Sequence, residues 1–164
     1  MDENVLYMMR FCGMEEYALK SAVWYILKGD GTDYDPDLFC LDMKFEQGRV
    51  LHDDTHDEEH PFMDAKPSWK LIFQSAQMPT IVPEVGLCLE LPNEEHEVEA
   101  NLYYWEHQPT LDNKLEILAA QGDRFLIRLT GITEDVNYYD GSKPKSTLQI
   151  TAWFDKKKRR ETSL

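Results

Sequence analysis

Alternation of apolar and polar side chains is the feature that most constrains the fold of this chain. Residues 39–46 (FCLDMKFE) place apolar side chains at every second position: Phe39, Leu41, Met43 and Phe45. Successive side chains of an extended strand point to opposite faces, so this segment predicts a half-buried β-strand with one face towards a core. Similar patterns predict further strands in residues 5–11, 69–75, 85–91, 97–107, 115–119, 124–131 and 147–154.

Short turn-forming stretches separate the predicted strands. They contain glycine with aspartate, glutamine or serine, at residues 29–31, 47–48, 121–123 and 140–142. Such residues provide the backbone conformations that tight turns require. Short strands joined by turns predict a mainly β fold, either an antiparallel β-sandwich or a barrel-like pair of sheets.

One segment near the N-terminus favours a helix over a strand. Within residues 15–28, apolar side chains recur at helical spacing: Leu19, Ala22, Val23, Ile26 and Leu27. Acidic residues begin the segment and Lys28 followed by Gly29 ends it, as the helix dipole and the C-cap favour. The opposing signal is an approximate period of two and the strand-favouring run 23–26. The sequence therefore predicts one N-terminal helix packed on the β-sheets.

The chain is long enough for one core. Its 164 residues contain 42% hydrophobic and 12% aromatic side chains, among them four tryptophans, which need an interior to cover them. We expect a single acidic β-rich domain over residues 1–155. Residues 156–164 begin with the basic run KKKRR and are expected to form a flexible tail that folds back on the acidic body or remains solvated.

Charge narrows the classes of partner. The whole chain has a net charge of −14, and residues 1–155 contain 12 basic against 30 acidic side chains, a net charge of −18. A field of this sign repels nucleic acid and anionic membranes and attracts basic proteins or divalent cations. The sequence has no apolar run of bilayer length and no signal-like start. Three cysteines in apolar surroundings suggest unpaired core thiols, so we expect a cytoplasmic protein.

The segment HDDTHDEEH at residues 52–60 is the candidate metal site. His52, His56 and His60 recur every four residues, so a helix would place their imidazoles on one side, where they could bind zinc or another divalent cation. The segment has no apolar stripe, is followed by Pro61, and lacks the HExxH pattern of metalloproteases. We therefore predict a solvated loop, with no cofactor, and keep a metal site as the alternative.

Signatures of catalysis are absent from the sequence. It contains no nucleophile elbow, no phosphate-binding loop and no dinucleotide fingerprint. The many carboxylates make chance acid–base neighbours abundant, so we predict no catalytic residues.

Two aromatic segments are candidates for partner binding. In residues 103–107 (YYWEH) alternation places Tyr103 and Trp105 on one face, which fits either a strand covered on both sides or an exposed anchor. Tyr138, Tyr139 and Asp140 lie beside a turn and resemble a recognition loop. We also assign the acidic side chains that precede and follow His56 to this surface: Asp53, Asp57 and Glu58.

Together these observations favour a non-enzymatic acidic binding module that holds or neutralises a basic partner protein. Bacterial toxin-immunity proteins, which cover a basic cleft with carboxylates, have this physical character. The alternative is a metal-binding protein or metal-dependent hydrolase that uses His52, His56 and His60. Self-association as a homodimer, through sheet edges or the aromatic strand, is a third reading.

Overall fold

The computed structural model describes residues 1–30, 32–55, 65–74, 83–91, 93 and 98–158. Within them the chain forms ten strands: β1 (Val5–Arg10), β2 (Gly13–Leu27), β3 (Leu38–Asp53), β4 (Ser68–Gln74), β5 (Cys88–Glu90), β6 (Val98–Tyr103), β7 (His107–Pro109), β8 (Leu111–Gln121), β9 (Arg124–Thr133) and β10 (Ser146–Lys156). The predicted mainly β fold is confirmed. Each of the eight predicted strands overlaps an observed one, and four agree with it to within two residues at both ends: 5–11, 69–75, 124–131 and 147–154.

The strands form one sheet rather than a pair. Their order is β5-β8-β9-β10-β1-β2-β3-β4-β6-β7, with antiparallel neighbours throughout and one short parallel contact between β10 and β2. The ladder is open, but Thr110 alone separates β7 from β8, so the chain itself joins the two halves of the sheet. The Thr110 backbone N–H also donates to the carbonyl of Ala100 in β6 (2.8 Å). In the described residues one open sheet therefore takes the place of the predicted sheet pair.

The predicted N-terminal helix is also wrong: this segment is the long strand β2, and none of the described residues is helical. Its pairing with β3 shifts register between Tyr17 and Leu19 and again between Leu19 and Ser21. Buried positions consequently change from odd numbers, such as Tyr17, to even ones, such as Ala22 and Trp24. A bulge that changes the phase of a two-residue period mimics helical spacing, whereas the β-branched and aromatic side chains in residues 23–26 favour the strand.

The inner face of the sheet curls around one cluster of buried side chains. Trp69 of β4 donates its indole N–H to Thr110 Oγ1 (3.1 Å). A Cβ on Gly131 of β9 would lie 3.1 Å from the Trp69 ring and 2.7 Å from Asn113 Oδ1, so a larger residue would displace the Asn113 side chain. Strands far apart in the ladder thus meet across the interior, which is filled by side chains.

A ring of aromatic side chains closes one end of this interior. Trp24 stacks on Phe39 with ring centroids 5.9 Å apart and meets the ring of Phe125 edge-on at 5.6 Å. Its indole N–H donates to the carbonyl oxygen of Asp123 (2.8 Å), which ties β2 to the β8–β9 turn. The polar atom of a buried tryptophan is thereby satisfied.

Asn4 determines how β10 and β2 meet beyond the short strand β1. Its backbone N–H donates to the carbonyl of Thr151 (2.7 Å), its carbonyl accepts from the N–H of Leu19 (3.0 Å), and its side-chain oxygen accepts from the N–H of Trp153 (3.3 Å). The residue has a φ of 63°, a conformation that asparagine adopts more readily than most residues. Asn4 therefore bridges the two strands that flank β1.

Candidate functional site

Four connections meet at one end of the sheet, which we call the loop end and define as residues 11–12, 53–55, 104–106 and 134–145. The N–H of Asp54 donates to the carbonyl of Cys12 (2.9 Å), and the ring of Phe11 meets that of Tyr138 edge-on at 5.6 Å. These contacts join the β1–β2 turn to the end of β3 and to the β9–β10 loop. Antiparallel strands return to the same end at every second connection, which is why residues distant in sequence converge here.

A buried ion cluster lies beneath the loop end. Arg10 donates from Nε and Nη2 to the two carboxylate oxygens of Asp135 (2.7 and 2.9 Å) and from Nη1 to Glu15 (2.6 Å). All three side chains are fully buried. Burial lowers the pKa of the arginine, but its hydrogen bonds to Asp135 and Glu15 outweigh that effect and raise the pKa overall. Arg10 is therefore a permanent cation facing two carboxylates.

Two tyrosines extend the cluster towards the β6–β7 turn. Tyr17 donates its hydroxyl to Glu15 (2.5 Å), and the hydroxyl oxygens of Tyr17 and Tyr104 are 2.7 Å apart. Burial is the main reason that the pKa values of both hydroxyls are raised, that of Tyr104 to about 12, and the nearby Glu15 carboxylate adds to each. Both phenols remain protonated and act as hydrogen-bonding groups near neutral pH.

Three of the four connections at the loop end are anchored to this cluster. Arg10 immediately precedes the β1–β2 turn, and Tyr104 begins the β6–β7 turn. In the β9–β10 loop, Asp135 accepts from the backbone N–H of Asn137 (3.1 Å) and from the hydroxyl of Ser146 (3.3 Å). Fixed anchors of this kind reduce the conformational entropy that a loop loses when it binds a partner.

The aromatic strand predicted from residues 103–107 is exposed on one face and buried on the other. Tyr103 and Trp105 are 43% and 54% exposed, whereas Leu102 and Tyr104 belong to the core. The ring of Tyr103 lies 4.8 Å from the imidazole of His107, which is also exposed. The strand ends at Tyr103, and Trp105 lies in the turn before β7. Exposed rings of this size are suitable interface anchors.

The second aromatic segment is only partly exposed. Tyr138 is half-buried against Phe11, and the ammonium group of Lys143 lies 5.2 Å from both ring centroids. The hydroxyl of Tyr139 is buried without a hydrogen-bond partner among the described residues. Burial raises its pKa, and the backbone of Glu106 and Trp105 lies close enough to oppose the shift. The 134–145 loop and the aromatic turn are therefore neighbours.

The acidic candidates lie at the surface where the structure describes them. Asp53 accepts from the backbone N–H of Thr55 (2.8 Å) and from its hydroxyl, and Asp140 accepts from the N–H of Ser142 (3.0 Å). The contact with Ser142 lowers the pKa of Asp140. Asp57 and Glu58 lie outside the described residues. The structure thus brings five of the eight predicted partner-binding residues to the loop end: Asp53, Trp105, Tyr138, Tyr139 and Asp140. A sixth, Tyr103, directly precedes it as the last residue of β6.

Of the predicted metal ligands, only His52 is described. It is exposed, and its Nε2 lies 2.6 Å from a carboxylate oxygen of Asp54. His56 and His60 lie outside the described residues. The described part of the chain contains no group of three or more His, Cys, Asp or Glu side chains arranged to hold a metal ion. The metal hypothesis stays a prediction.

All three cysteines are thiols rather than disulfides, as predicted, but their surroundings differ. Cys12 and Cys40 are buried, as expected, whereas Cys88 on β5 is exposed. Burial, augmented by the nearby carboxylates, raises the pKa of the Cys12 thiol to about 11, although Arg10 opposes the shift. Cys12 is therefore protonated near neutral pH and is a poor nucleophile despite its place beside the ion cluster.

The buried cluster itself was missed by the sequence reasoning. Arg10 follows Leu6 and Met8 at the same inward-facing parity of β1, and Glu15 precedes Tyr17 at the inward parity of β2. A charged residue at an inward position of a predicted strand needs a partner of opposite charge, so this pattern is the signal that could have revealed the cluster. The partner Asp135 lies in a loop, where alternation gives no such signal.

Comparisons with protein-family models, with curated proteins and with solved structures find no match to this chain. The described residues contain no helix long and apolar enough to span a bilayer.

Proposed function

We propose that this chain is a non-enzymatic binding module that holds or neutralises a basic partner protein through its loop end, as a toxin-immunity protein does. The observation that carries the proposal is the exposure of Trp105, 54% exposed, on an anchored end of the sheet that is rich in carboxylates. The described loop end has two lysines, Lys143 and Lys145, and five carboxylates outside the buried cluster: Asp53, Asp54, Glu106, Glu134 and Asp140.

The two kinds of residue have different roles in such an interface. Aromatic anchors supply most of the affinity because they bury large areas with few rotatable bonds. Surrounding carboxylates mainly speed the encounter with a cationic surface and select against acidic proteins. Trp105 and Tyr103 fit the first role, and Asp53 and Asp140 fit the second.

The anchoring cluster supports binding over chemistry. Its carboxylates accept hydrogen bonds from Arg10 and from Tyr17, and it is fully buried at Arg10, Glu15 and Asp135. Groups arranged in this way hold their neighbours in place, which is the property that a preformed interface requires.

Matched affinity baits test the proposal. The unaltered chain, Trp105→Ala, a loop-end variant with Asp53→Lys and Asp140→Lys, and a control with Glu90→Lys and Asp112→Lys on β5 and β8 would each be coupled to a resin and exposed to extract from the source cells. We expect a basic protein that the unaltered chain and the control retain and that both loop-end changes lose.

Kinetics with that purified protein then separate the two roles. Charge reversal at Asp53 and Asp140 should slow association, with an effect that shrinks as salt rises, because charges on the surface are screened. Trp105→Ala should mainly speed dissociation. Retention of the same protein by every bait would overturn the loop end as the binding surface, and retention of acidic proteins alone would overturn the charge argument.

A further inference from the structure

The end of the sheet opposite the loop end contains an open groove. We call it the tail end and define it as residues 23–28, 121–124 and 155–158. The groove has a volume of about 1250 Å³ and lies where β10 crosses onto β2. The N–H of Lys157 donates to the carbonyl of Trp24 (2.9 Å), so the beginning of the basic tail is fixed against the sheet.

The charge of this groove is opposite to that of the whole chain. Its lining contains five cationic side chains, Lys28, Arg124, Lys156, Lys157 and Lys158, against two carboxylates, Asp123 and Asp155. The lining therefore has a net charge of +3 in a chain whose net charge is −14. At physiological ionic strength charges more than about 8 Å apart are largely screened, so this local excess governs contact at the groove.

Three of these cations have no carboxylate partner in the described part of the chain. Arg124 pairs with Asp155 (2.7 Å) and Lys28 with Asp37 (3.2 Å). By contrast, the ammonium group of Lys156 lies 5.5 Å from the ring centroid of Trp24, and that of Lys157 lies 4.7 Å from the ring centroid of Tyr25. An aromatic face holds an ammonium group in place without neutralising it, so Lys156 and Lys157 remain available to an anion. Lys158 lines the same groove.

The rest of the lining is suited to apolar side chains. Val23 and Ile26 are half-buried and contribute hydrocarbon beside the lysines. Cations around apolar surface favour an amphipathic anion over a fully hydrated one, because both the charge and the apolar part gain contacts.

We propose that the tail-end groove docks an extended acidic polypeptide segment in which carboxylate and apolar side chains alternate. Lys156 is the last residue of β10 and Lys158 lies two residues further, a separation of about 6.6 Å in extended chain. Carboxylates at alternate positions of an extended peptide have the same repeat and can engage both, whereas a single carboxylate engages one. Stacking of nucleic-acid bases is disfavoured because lysines already cover the faces of Trp24 and Tyr25.

The test uses a fluorescein-labelled ten-residue peptide of alternating glutamate and leucine, titrated with the full chain and followed by fluorescence anisotropy. We expect saturable binding to one site. The variant with Lys156, Lys157 and Lys158 changed to Gln should bind about tenfold more weakly, and the corresponding change to Glu more weakly still. A control with Lys66, Lys114 and Lys145 changed to Glu alters the total charge as much as the tail-end Glu variant does. This control should bind the peptide as the unaltered chain does. Circular dichroism verifies that each variant is folded.

Several results would overturn the proposal. One is the absence of saturable binding, and another is equal affinity for a peptide with glutamine in place of glutamate. If the control variant weakened peptide binding equally, the effect would depend on total charge alone. Light scattering that shows the chain associating with itself through the three lysines would assign the groove to a second copy. The docking is independent of the loop end, so Trp105→Ala should bind the peptide normally. Weaker peptide binding by this variant would also count against the proposed docking.

Discussion

The two ends of the sheet are closed by opposite means. At the loop end, one buried arginine holds two carboxylates, and tyrosine hydroxyls continue the hydrogen-bonded cluster. At the tail end, aromatic rings pack on one another and lysines lie over their outer faces. The first end therefore depends on complete pairing of charge, whereas the second depends on packed area.

Removal of the buried cation Arg10 should cause the largest loss of stability. Arg10→Met would leave Glu15 and Asp135 facing each other in the interior, and we expect a loss of about 3–5 kcal/mol in the free energy of unfolding. Urea unfolding followed by tryptophan fluorescence measures it. Arg49→Met is the matched control, because Arg49 pairs with Glu16 at the surface and is 74% exposed. We expect its change to be below about 1 kcal/mol, and equal losses in the two variants would contradict the view that pairing matters most at the loop end.

Alkaline pH should weaken the tyrosine hydrogen bonds of the loop end. Tyr104 has a pKa raised from 10.0 to about 12 in the folded chain, so the stability it contributes is complete below pH 10 and is lost as pH rises through 12. Tyr17 has a raised pKa as well and acts in the same direction. The loss is at most about 1.4 kcal/mol per pH unit for each hydroxyl. Urea midpoints between pH 9 and 12 measure it, and Tyr104→Phe should flatten the slope. The exposed Tyr103→Phe should not, and a slope that Tyr104→Phe leaves unchanged would argue against this origin.

At the tail end, removal of one hydrogen bond should have a moderate effect. Trp24→Phe keeps an aromatic ring against Phe39 and Phe125 but removes the donor to Asp123 and some packed area. We expect a loss of about 1–2 kcal/mol in the free energy of unfolding, measured by urea titration followed by circular dichroism. The alkaline slope should stay as in the unaltered chain because the tyrosine cluster is remote. A changed slope would mean that the two ends are energetically coupled.

The smallest expected effect concerns the histidines. Changing His52, His56 and His60 to Ala together should leave the heat of zinc titration at neutral pH unchanged, since we predict a solvated loop there. Isothermal calorimetry of both proteins checks this. A stoichiometric heat that disappears in the variant would establish the metal alternative.

Sequence periodicity predicted the strands because one face of this sheet is buried, so that core residues such as Leu41 and Met43 recur at every second position. It failed where that periodicity is interrupted. Two register shifts in β2 bring Tyr17 and Ala22 onto the same face, and five-residue spacing is not a strand signal. The curvature of the sheet could not be predicted from local sequence patterns either, because the contact between Trp69 and Thr110 joins positions 41 residues apart. One sheet that curls around a core therefore has the same local pattern as two facing sheets.

The loop end was also only partly predictable from sequence. The aromatic turn could be identified from sequence because Trp105 follows a strand pattern, but its neighbour across the surface, the loop of Tyr138 and Tyr139, was assigned only by composition. Their proximity depends on tertiary contacts that join the turn and the loop, and no local pattern encodes such contacts. Arg10 was missed because a lone arginine at the end of a strand is usually exposed.

The short strand β1 determines where β10 and β2 meet at the tail end. Because β1 has only six residues and Asn4 bridges its flanks, β10 and β2 come together from Val23 onward and direct the chain across the mouth of the core. The length of β1 thus determines the position of the three lysines at the tail end. Two further residues paired in β1 would hold β10 and β2 apart and move the cationic side chains off their aromatic supports.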